Sequence, residues 1–131
     1  MPNRDELVVA LGCKDLDEGI AHLLERGVGA VLTSLGAEGM RLNTPNIFCT
    51  ARLSVPVAGN PTGAGDSVVA AIAVALAATP SHSERSRVLA ASLERAVAWS
   101  AAAVLSPVAG EIDDEIAQQL LPGVQIVKKG M

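Results

Sequence analysis

A run of small residues at positions 60–67, N-P-T-G-A-G-D-S, most constrains what this chain can fold into. The run leads directly into an apolar, alanine-rich segment at 68–78 that is typical of a buried helix. Unhindered residues at a helix start let backbone N–H groups close around an anion, because the first helical N–H groups lack intrahelical partners. The run therefore predicts an anion-binding loop, with phosphate as the expected anion and Asp66 beside it as a candidate proton acceptor.

Two common phosphate-binding motifs do not match this loop. A Walker A loop has the pattern G-x-x-x-x-G-K-[ST], but the residue before Ser67 is Asp66 rather than lysine. A dinucleotide fingerprint, G-x-G-x-x-G, needs a third glycine where this chain has Val68. A plain glycine-rich helix cap, with Asp66 as a favourable first-turn charge, is the alternative that the spacing leaves open.

Composition excludes several classes of function. The 131 residues fit one domain, and the 50% that are apolar are enough for a core. A formal charge of −4 without a basic stripe argues against nucleic acid as a partner. The sequence has neither a signal-peptide pattern nor an apolar run of membrane-spanning length, so we expect no membrane partner and a cytoplasmic location. Cys13 and Cys49 lack C-x-x-C spacing and are expected to be free thiols.

Apolar spacing and helix-ending residues predict the order of the elements. Helices are expected at 4–11 and 15–26, followed by a buried strand at 30–33 that suits a parallel sheet. A turn cluster at 43–46 predicts a hairpin between 40–42 and 47–53. Further elements follow the 63–66 loop: a helix to about Ala78, a break at Thr79 and Pro80, helices at about 83–105 and 113–121, and an edge strand at 125–127.

Four short blocks resemble motifs of the PfkB (ribokinase-like) carbohydrate kinases. T-G-A-G-D at 62–66 resembles the signature of that family, and T-S-L-G-A-E-G at 33–39 resembles its nucleotide-binding turn. P-N-R-D-E-L at 2–7 is similar to the N-x-x-E motif, and S-A-A-A-V-L-S-P at 100–107 is similar to the helix near the adenine pocket. The set is most similar to the phosphosugar branch, the 1-phosphofructokinases and tagatose 6-phosphate kinases.

The resemblance implies an α/β chain, the C-terminal nucleotide-binding part of a ribokinase-like (Rossmann-like) three-layer α/β/α fold. Family chains run to about 300 residues, with the sugar site and lid mainly in the N-terminal half. Residues 1–131 are therefore expected to be a single nucleotide-binding domain fragment without that half, and Met1, where this branch has lysine, suggests a boundary within a longer gene. The expected partners are a sugar phosphate in the complete enzyme and either a missing N-terminal half or a second copy of the chain.

The resemblance also implies roles for individual residues, with ATP and Mg²⁺ as the cofactors. Asp66 is the expected catalytic base, and the backbone N–H groups of Gly63, Ala64, Gly65 and Asp66 form the expected anion hole. Asn3 and Glu6 are expected to help place Mg²⁺ through waters. The expected nucleotide contacts are Ser34, Gly36, Ala37, Glu38, Gly39, Gly65, Ser100 and Ala103.

Some of these residues have explanations that need no ligand. Asn followed three residues later by Glu is the pattern of a capping box, so Asn3 and Glu6 fit a plain helix start. Glu38 fits the turn equally well as a solvated residue. Trp99 lies beside the alanine-rich block, where core packing is favoured over adenine stacking. The chain as a whole also admits a second class of function, a non-catalytic nucleotide-binding module or an inert fragment.

Overall fold

The computed structural model describes residues 2–79 and 84–130. The described part contains, in chain order, α1 (Arg4–Leu11), α2 (Leu16–Glu25), β1 (Val31–Ser34), β2 (Met40–Asn43), β3 (Ile47–Leu53), α3 (Ala64–Ala77), α4 (Arg85–Leu105), α5 (Asp114–Leu120) and β4 (Val124–Gly130). Each predicted helix and strand is present, with ends that differ by a few residues. Met1, the expected break at Pro80 and the expected helix start at Ser83 lie outside the described residues.

The first two helices begin and end where the sequence provides caps. α1 ends at Gly12, whose φ of 62° lies in the left-handed region that glycine adopts without strain. α2 begins after Asp15, whose Oδ1 accepts a 2.9 Å hydrogen bond from the amide of Glu18. Because these signals are local, both helices agree with the prediction from sequence.

The four strands form one sheet in the order β1-β2-β3-β4, and each neighbouring pair is antiparallel. The predicted β2–β3 hairpin is confirmed, with Leu42 opposite Cys49. Thr44 closes its turn, because the Oγ1 of Thr44 accepts a 2.9 Å hydrogen bond from the amide of Ile47. β4 pairs with β3 along its whole length, so the predicted edge strand is confirmed and is longer than expected.

The expected parallel pairing of β1 is wrong for its neighbour in the sheet, β2. β1 pairs antiparallel with β2, and Ser34 lies opposite Met40. Only residues 35–39 connect the two strands, whereas the crossover between parallel strands needs about a dozen residues or more. The one parallel contact within the described residues is a bridge between Asn3 and Ser34, on the edge of β1 away from β2.

Two apolar clusters cover opposite faces of the sheet and create three layers. The cluster beneath α1 and α2 includes Leu7, Ile20 and Val31. The cluster between the sheet and the helix pair α3–α4 includes Leu42, Cys49, Val68, Leu93 and, partly buried, Leu32 and Trp99. Val31 and Leu32 belong to different clusters because successive residues of a strand point to opposite faces. The fold is therefore α/β, as predicted, and Trp99 is a packing residue.

Small residues form the contact between α3 and α4. Ala71 and Ala96 are completely buried in the second cluster. Alanine also makes residues 87–105 of α4 long and apolar enough, by length and composition only, to cross a membrane. The expectation that no apolar run reaches membrane-spanning length is therefore wrong. Half of that stretch is buried inside the protein.

Candidate functional site

A cavity of about 430 Å³ opens between α4, the loop that leads to α3, and the turn at residues 34–39 (the 34–39 turn). Its walls come from Ser34, Gly36, Ala37 and Gly39 of that turn, from Val97, Ser100, Ala101 and Val104 of α4, and from Pro56, Val57, Ala58, Gly59 and Pro61 of the loop. Met40 of β2, Leu53 of β3 and Ala64, the first residue of α3, complete the lining. The volume and the mostly apolar walls are those of a small-molecule site.

One face of α4 forms the long wall of this cavity. Val97, Ser100, Ala101 and Val104 follow the spacing of a single helical face. Ser100 was predicted from sequence and lies in the wall, but Ala103 does not line the cavity and is only 1% exposed. Ala101 and Val104 belong to the 100–107 motif, whereas Val97, three residues before Ser100 on the same helical face, is the wall residue that the motif does not mark.

The 34–39 turn brings the backbone close to the cavity. A Cβ atom on Gly39 would lie 2.0 Å from the carbonyl oxygen of Ala51, so this position requires glycine. Gly36 has a φ of 61°, and beyond its own residue and its chain neighbours no described atom lies within 4 Å of where its Cβ would be. The turn therefore offers a ligand exposed backbone and open space rather than side chains.

Of the turn residues predicted to contact nucleotide, Glu38 is the one that does not line the cavity. Its Oε2 instead accepts a 2.9 Å hydrogen bond from Nη2 of Arg4, in the first turn of α1. Both side chains are largely exposed to solvent. The position of Glu38 thus differs from that of the other turn residues predicted to contact nucleotide.

α3 begins with an N-terminus whose amides are largely open. Gly63 is the N-cap, with a φ of 85° and no side-chain hydrogen bond to the helix. The amide of Ala64 donates to the carbonyl of Pro61 at 3.1 Å, so this member of the predicted anion hole already has an acceptor. The described residues give no acceptor to the amides of Gly63, Gly65 and Asp66. Three of the four predicted donors are therefore available to an anion.

Gly63 is held against a second loop that follows α4. A Cβ on Gly63 would lie 2.7 Å from the amide nitrogen of Gly110 and 2.9 Å from its Cα. Backbone atoms cannot retreat as the end of a flexible side chain can, so a larger residue would displace one of the two loops. Close backbone packing and a left-handed φ together explain why the sequence has glycine here.

Asp66 lies in the first turn of α3, two residues after the cavity residue Ala64. Its side chain is exposed and accepts no hydrogen bond from a described residue. A carboxylate in this position is next to the open amides and accessible to a second molecule. It has the accessibility that proton transfer from an incoming hydroxyl requires.

The N-x-x-E segment lies at the edge of the cavity, because Asn3 is bridged to the lining residue Ser34. The capping box predicted as an alternative is present: Asn3 Oδ1 accepts from the amide of Glu6 at 2.8 Å, and Glu6 Oε2 accepts from the amide of Asn3 at 3.1 Å. Within the described residues, Glu6 Oε1 accepts no hydrogen bond, and no three His, Cys, Asp or Glu side chains are grouped to hold a metal. Such a donor set fits Mg²⁺ only where waters and phosphate oxygens supply most ligands, which is the usual arrangement for this ion.

Solved sugar-kinase structures share this fold. A Vibrio cholerae fructokinase, described with fructose, ADP and calcium ion, superposes with a TM-score of 0.78 at 20% identity over 91% of this chain. Escherichia coli phosphofructokinase-2, described in complex with potassium, gives 0.74 at 22% identity over 92%. An Arabidopsis thaliana ribokinase, described with ribose and ATP, gives 0.69 at 26% identity over 92%. The aligned part is 39% of each of these three chains.

In direct sequence comparison, no curated protein is similar enough to this chain to count as a match. Residues 1–116 match the family described as pfkB family carbohydrate kinase. That match includes the N-x-x-E segment, the 34–39 turn, the loop before α3 and the α4 wall. Since it extends over most of the chain and the fold is that of ribokinase-like kinases, the chain belongs to the pfkB family of carbohydrate kinases.

Proposed function

We propose that this chain supplies the nucleotide site and the catalytic base of an ATP-dependent kinase that phosphorylates a hydroxyl of a sugar phosphate. One observation carries the proposal: the wall of the cavity ends at Ala64, where the open N-terminus of α3 begins. A nucleotide has an apolar base, which matches the cavity, and an anionic phosphate tail, which matches the open N-terminus of α3. Nucleotides named in the descriptions of the fructokinase and ribokinase relatives support the same ligand class.

The base of ATP would occupy the slot between the 34–39 turn and the α4 wall. Its mostly apolar walls suit the aromatic ring of a base, and Ser34 and Ser100 are the polar side chains in the lining. The phosphates would extend toward α3, where the amides of Gly63, Gly65 and Asp66 face no acceptor among the described residues. Losing one donor from such an anion hole typically lowers a rate by about 10²–10³.

Asp66 would take the proton of the acceptor hydroxyl. As that oxygen forms a bond to the γ-phosphorus, the bond between this phosphorus and the bridging oxygen of ADP breaks, and ADP leaves with the electron pair. The open amides of α3 would stabilise the negative charge on the migrating phosphoryl group. Mg²⁺, when bound, offsets phosphate charge; Glu6 and, through its position, Asn3 are the residues that would hold it, mainly through waters.

The residues that select the sugar are proposed to lie outside these 131 residues. The aligned part is 39% of the length of these solved relatives. We therefore assign residues 1–131 as a single nucleotide-binding domain fragment that works with an N-terminal sugar-binding half and lid. The motif likeness to 1-phosphofructokinase and tagatose 6-phosphate kinase favours a ketose phosphate as the acceptor, and such metabolites favour a cytoplasmic location.

The test is paired binding and turnover on the 131-residue chain. Calorimetric titration with ATP and Mg²⁺ should detect weak binding. A coupled assay with fructose 1-phosphate, fructose 6-phosphate and tagatose 6-phosphate should detect no sugar-dependent ADP release. Holding the acceptor in line accounts for roughly 7–11 kcal/mol of barrier reduction, and this chain is proposed to lack the sugar site. Sugar-dependent ADP release would overturn the assignment as an incomplete enzyme. Absence of ATP binding would favour the alternative, an inert fragment.

A further inference from the structure

Two contacts join the start of α1 to the 34–39 turn. The first is the parallel bridge between Asn3 and Ser34 at the outer edge of β1, in which the amide of Ser34 donates a 3.0 Å hydrogen bond to the carbonyl of Pro2. The second is the 2.9 Å ion pair between Arg4 and Glu38. The bridge holds only the beginning of the turn, whereas the ion pair reaches its far side.

The ion pair also explains why Glu38 faces away from the cavity while Gly36, Ala37 and Gly39 line it. A carboxylate directed into the cavity would repel nucleotide phosphates. Arg4 instead holds the Glu38 carboxylate on the side of the turn that faces α1. In turn, Glu38 compensates a cation that stands in the first turn of a helix, where the macrodipole is unfavourable for positive charge.

We propose that Arg4 and Glu38 are positioning residues whose ion pair keeps the 34–39 turn in register with the N-x-x-E segment. Glu6 lies two residues after Arg4, so the same pair sets the position of the Mg²⁺ segment relative to bound nucleotide. The consequence for ligand binding rests on the proposed function. The consequence for the order of the turn does not, because it concerns the protein alone.

The first measurement is amide hydrogen exchange at Gly39, whose N–H donates to the Gly36 carbonyl at 3.0 Å. Glu38→Gln and Arg4→Gln should each speed this exchange about two- to five-fold, the range that an exposed ion pair supports. Arg4→Lys, which keeps the charge, should restore most of the protection. Glu25→Gln, the same charge change at an exposed position of α2, should leave Gly39 unchanged.

The second measurement is the ratio of ATP dissociation constants without and with Mg²⁺. Each single variant should lower this ratio about two- to five-fold. The double variant Arg4→Gln/Glu38→Gln should be no worse than either single change, because both remove the same interaction. High salt should erase the difference between the variants and the unmodified chain.

The outcomes separate the two proposals. Unchanged Gly39 exchange in both single variants overturns the positioning role, whatever ATP does. Faster exchange with an unchanged Mg²⁺ ratio in a chain that binds ATP overturns the link to the Mg²⁺ segment. An unmodified chain that binds no ATP overturns the proposed function, and Gly39 exchange then still decides whether the ion pair orders the turn.

Discussion

The amide of Asn60 donates a 3.0 Å hydrogen bond to the carbonyl oxygen of Val104, in the last turn of α4. Carbonyls at the end of a helix lack intrahelical partners, so this bond satisfies one of them. Val104 also lines the cavity. The bond therefore fastens the loop before α3 to the wall of the candidate nucleotide site.

Gly59→Ala should break this connection. A Cβ at position 59 would lie 2.3 Å from the Val104 carbonyl oxygen, which is backbone and cannot rotate away. We expect the free energy of unfolding to fall by about 1–3 kcal/mol, as for other overpacked sites. We also expect ATP to bind several-fold more weakly, because the loop would move off the wall. Urea unfolding and calorimetric titration measure the two effects.

Gly29→Ala is the matched control for that change. Apart from Gly29 itself and its chain neighbours, no described atom lies within 4 Å of the added methyl group, so stability and ATP binding should both be close to those of the unmodified chain. If Gly59→Ala behaved like this control, the loop would not depend on the contact with Val104.

Asp66→Asn tests the proposed base in an enzyme completed with an N-terminal half from a relative. The substitution keeps the size of the side chain and removes the proton acceptor. We expect kcat to fall at least about 10²-fold while ATP affinity changes little. Asp114→Asn, the same change in the first turn of α5, should not alter kcat. Near-normal turnover in the Asp66 variant would contradict its assigned role.

Thr33→Val should stabilise the protein. Thr33 is completely buried, and its Oγ1 has no hydrogen-bond partner among the described residues. Removing an unsatisfied hydroxyl should raise the free energy of unfolding by about 1 kcal/mol. The same substitution at Thr44 should have the opposite sign, since Thr44 Oγ1 accepts from the amide of Ile47. Chemical denaturation of both variants checks the pair, and a destabilised Thr33 variant would indicate a bound water.

Cys49 should make the protein less stable at alkaline pH. Burial raises the pKa of the Cys49 thiol above its ordinary value, and the charge of Lys128 only partly opposes this. Below about pH 8.5 the thiol is protonated in both states, whereas above it the unfolded chain loses the proton first. The free energy of unfolding of the unmodified chain should therefore fall toward that of Cys49→Ala as the pH rises from about 7.5 to about 10. A constant difference in urea midpoints would argue against the raised pKa.

The chain should self-associate when no N-terminal half is present. The outer edge of β1 carries one described bridge, and beside it Leu32, Val69, Ile72, Ala73 and Leu76 line an apolar groove of about 300 Å³. Exposed edges and apolar patches of this kind attract a second chain. Light scattering should show a mass that rises with concentration and falls toward the monomer in Val69→Lys. Val108→Lys, at an equally exposed position elsewhere, is the control.

The parts of the fold that local signals specify are predictable from sequence. The αL glycine at Gly12, the Asp15 cap and the turn at Thr44 each act within a few residues, and the elements they bound agree with the structure. The prediction of a parallel partner for β1 is wrong for β2, because an apolar strand indicates only burial, whereas the pairing direction depends on the partner strand. The seven-residue length of β4 likewise depends on its ladder with β3, which no local pattern encodes.

The candidate site is predictable to a similar depth. Motifs identify Ser34, two glycines of the 34–39 turn (Gly36 and Gly39) and Ser100, all of which line one cavity. They do not reveal that Ala103 faces the core or that Glu38 pairs with Arg4, because both facts depend on how distant elements pack. The contact between Asn60 and Val104 is invisible for the same reason.

The pairing of β3 with β4 also sets an order of events during synthesis. Ile47 pairs with Gly130, so this four-stranded sheet cannot close until residue 130 has left the ribosome. Before that moment β3 is an open edge, and its pairing depends on a contact between segments far apart in sequence, which is intrinsically slow to form. The 34–39 turn, α3 and α4 all emerge earlier. A nascent chain can therefore assemble the walls of the cavity before β4 has been synthesised.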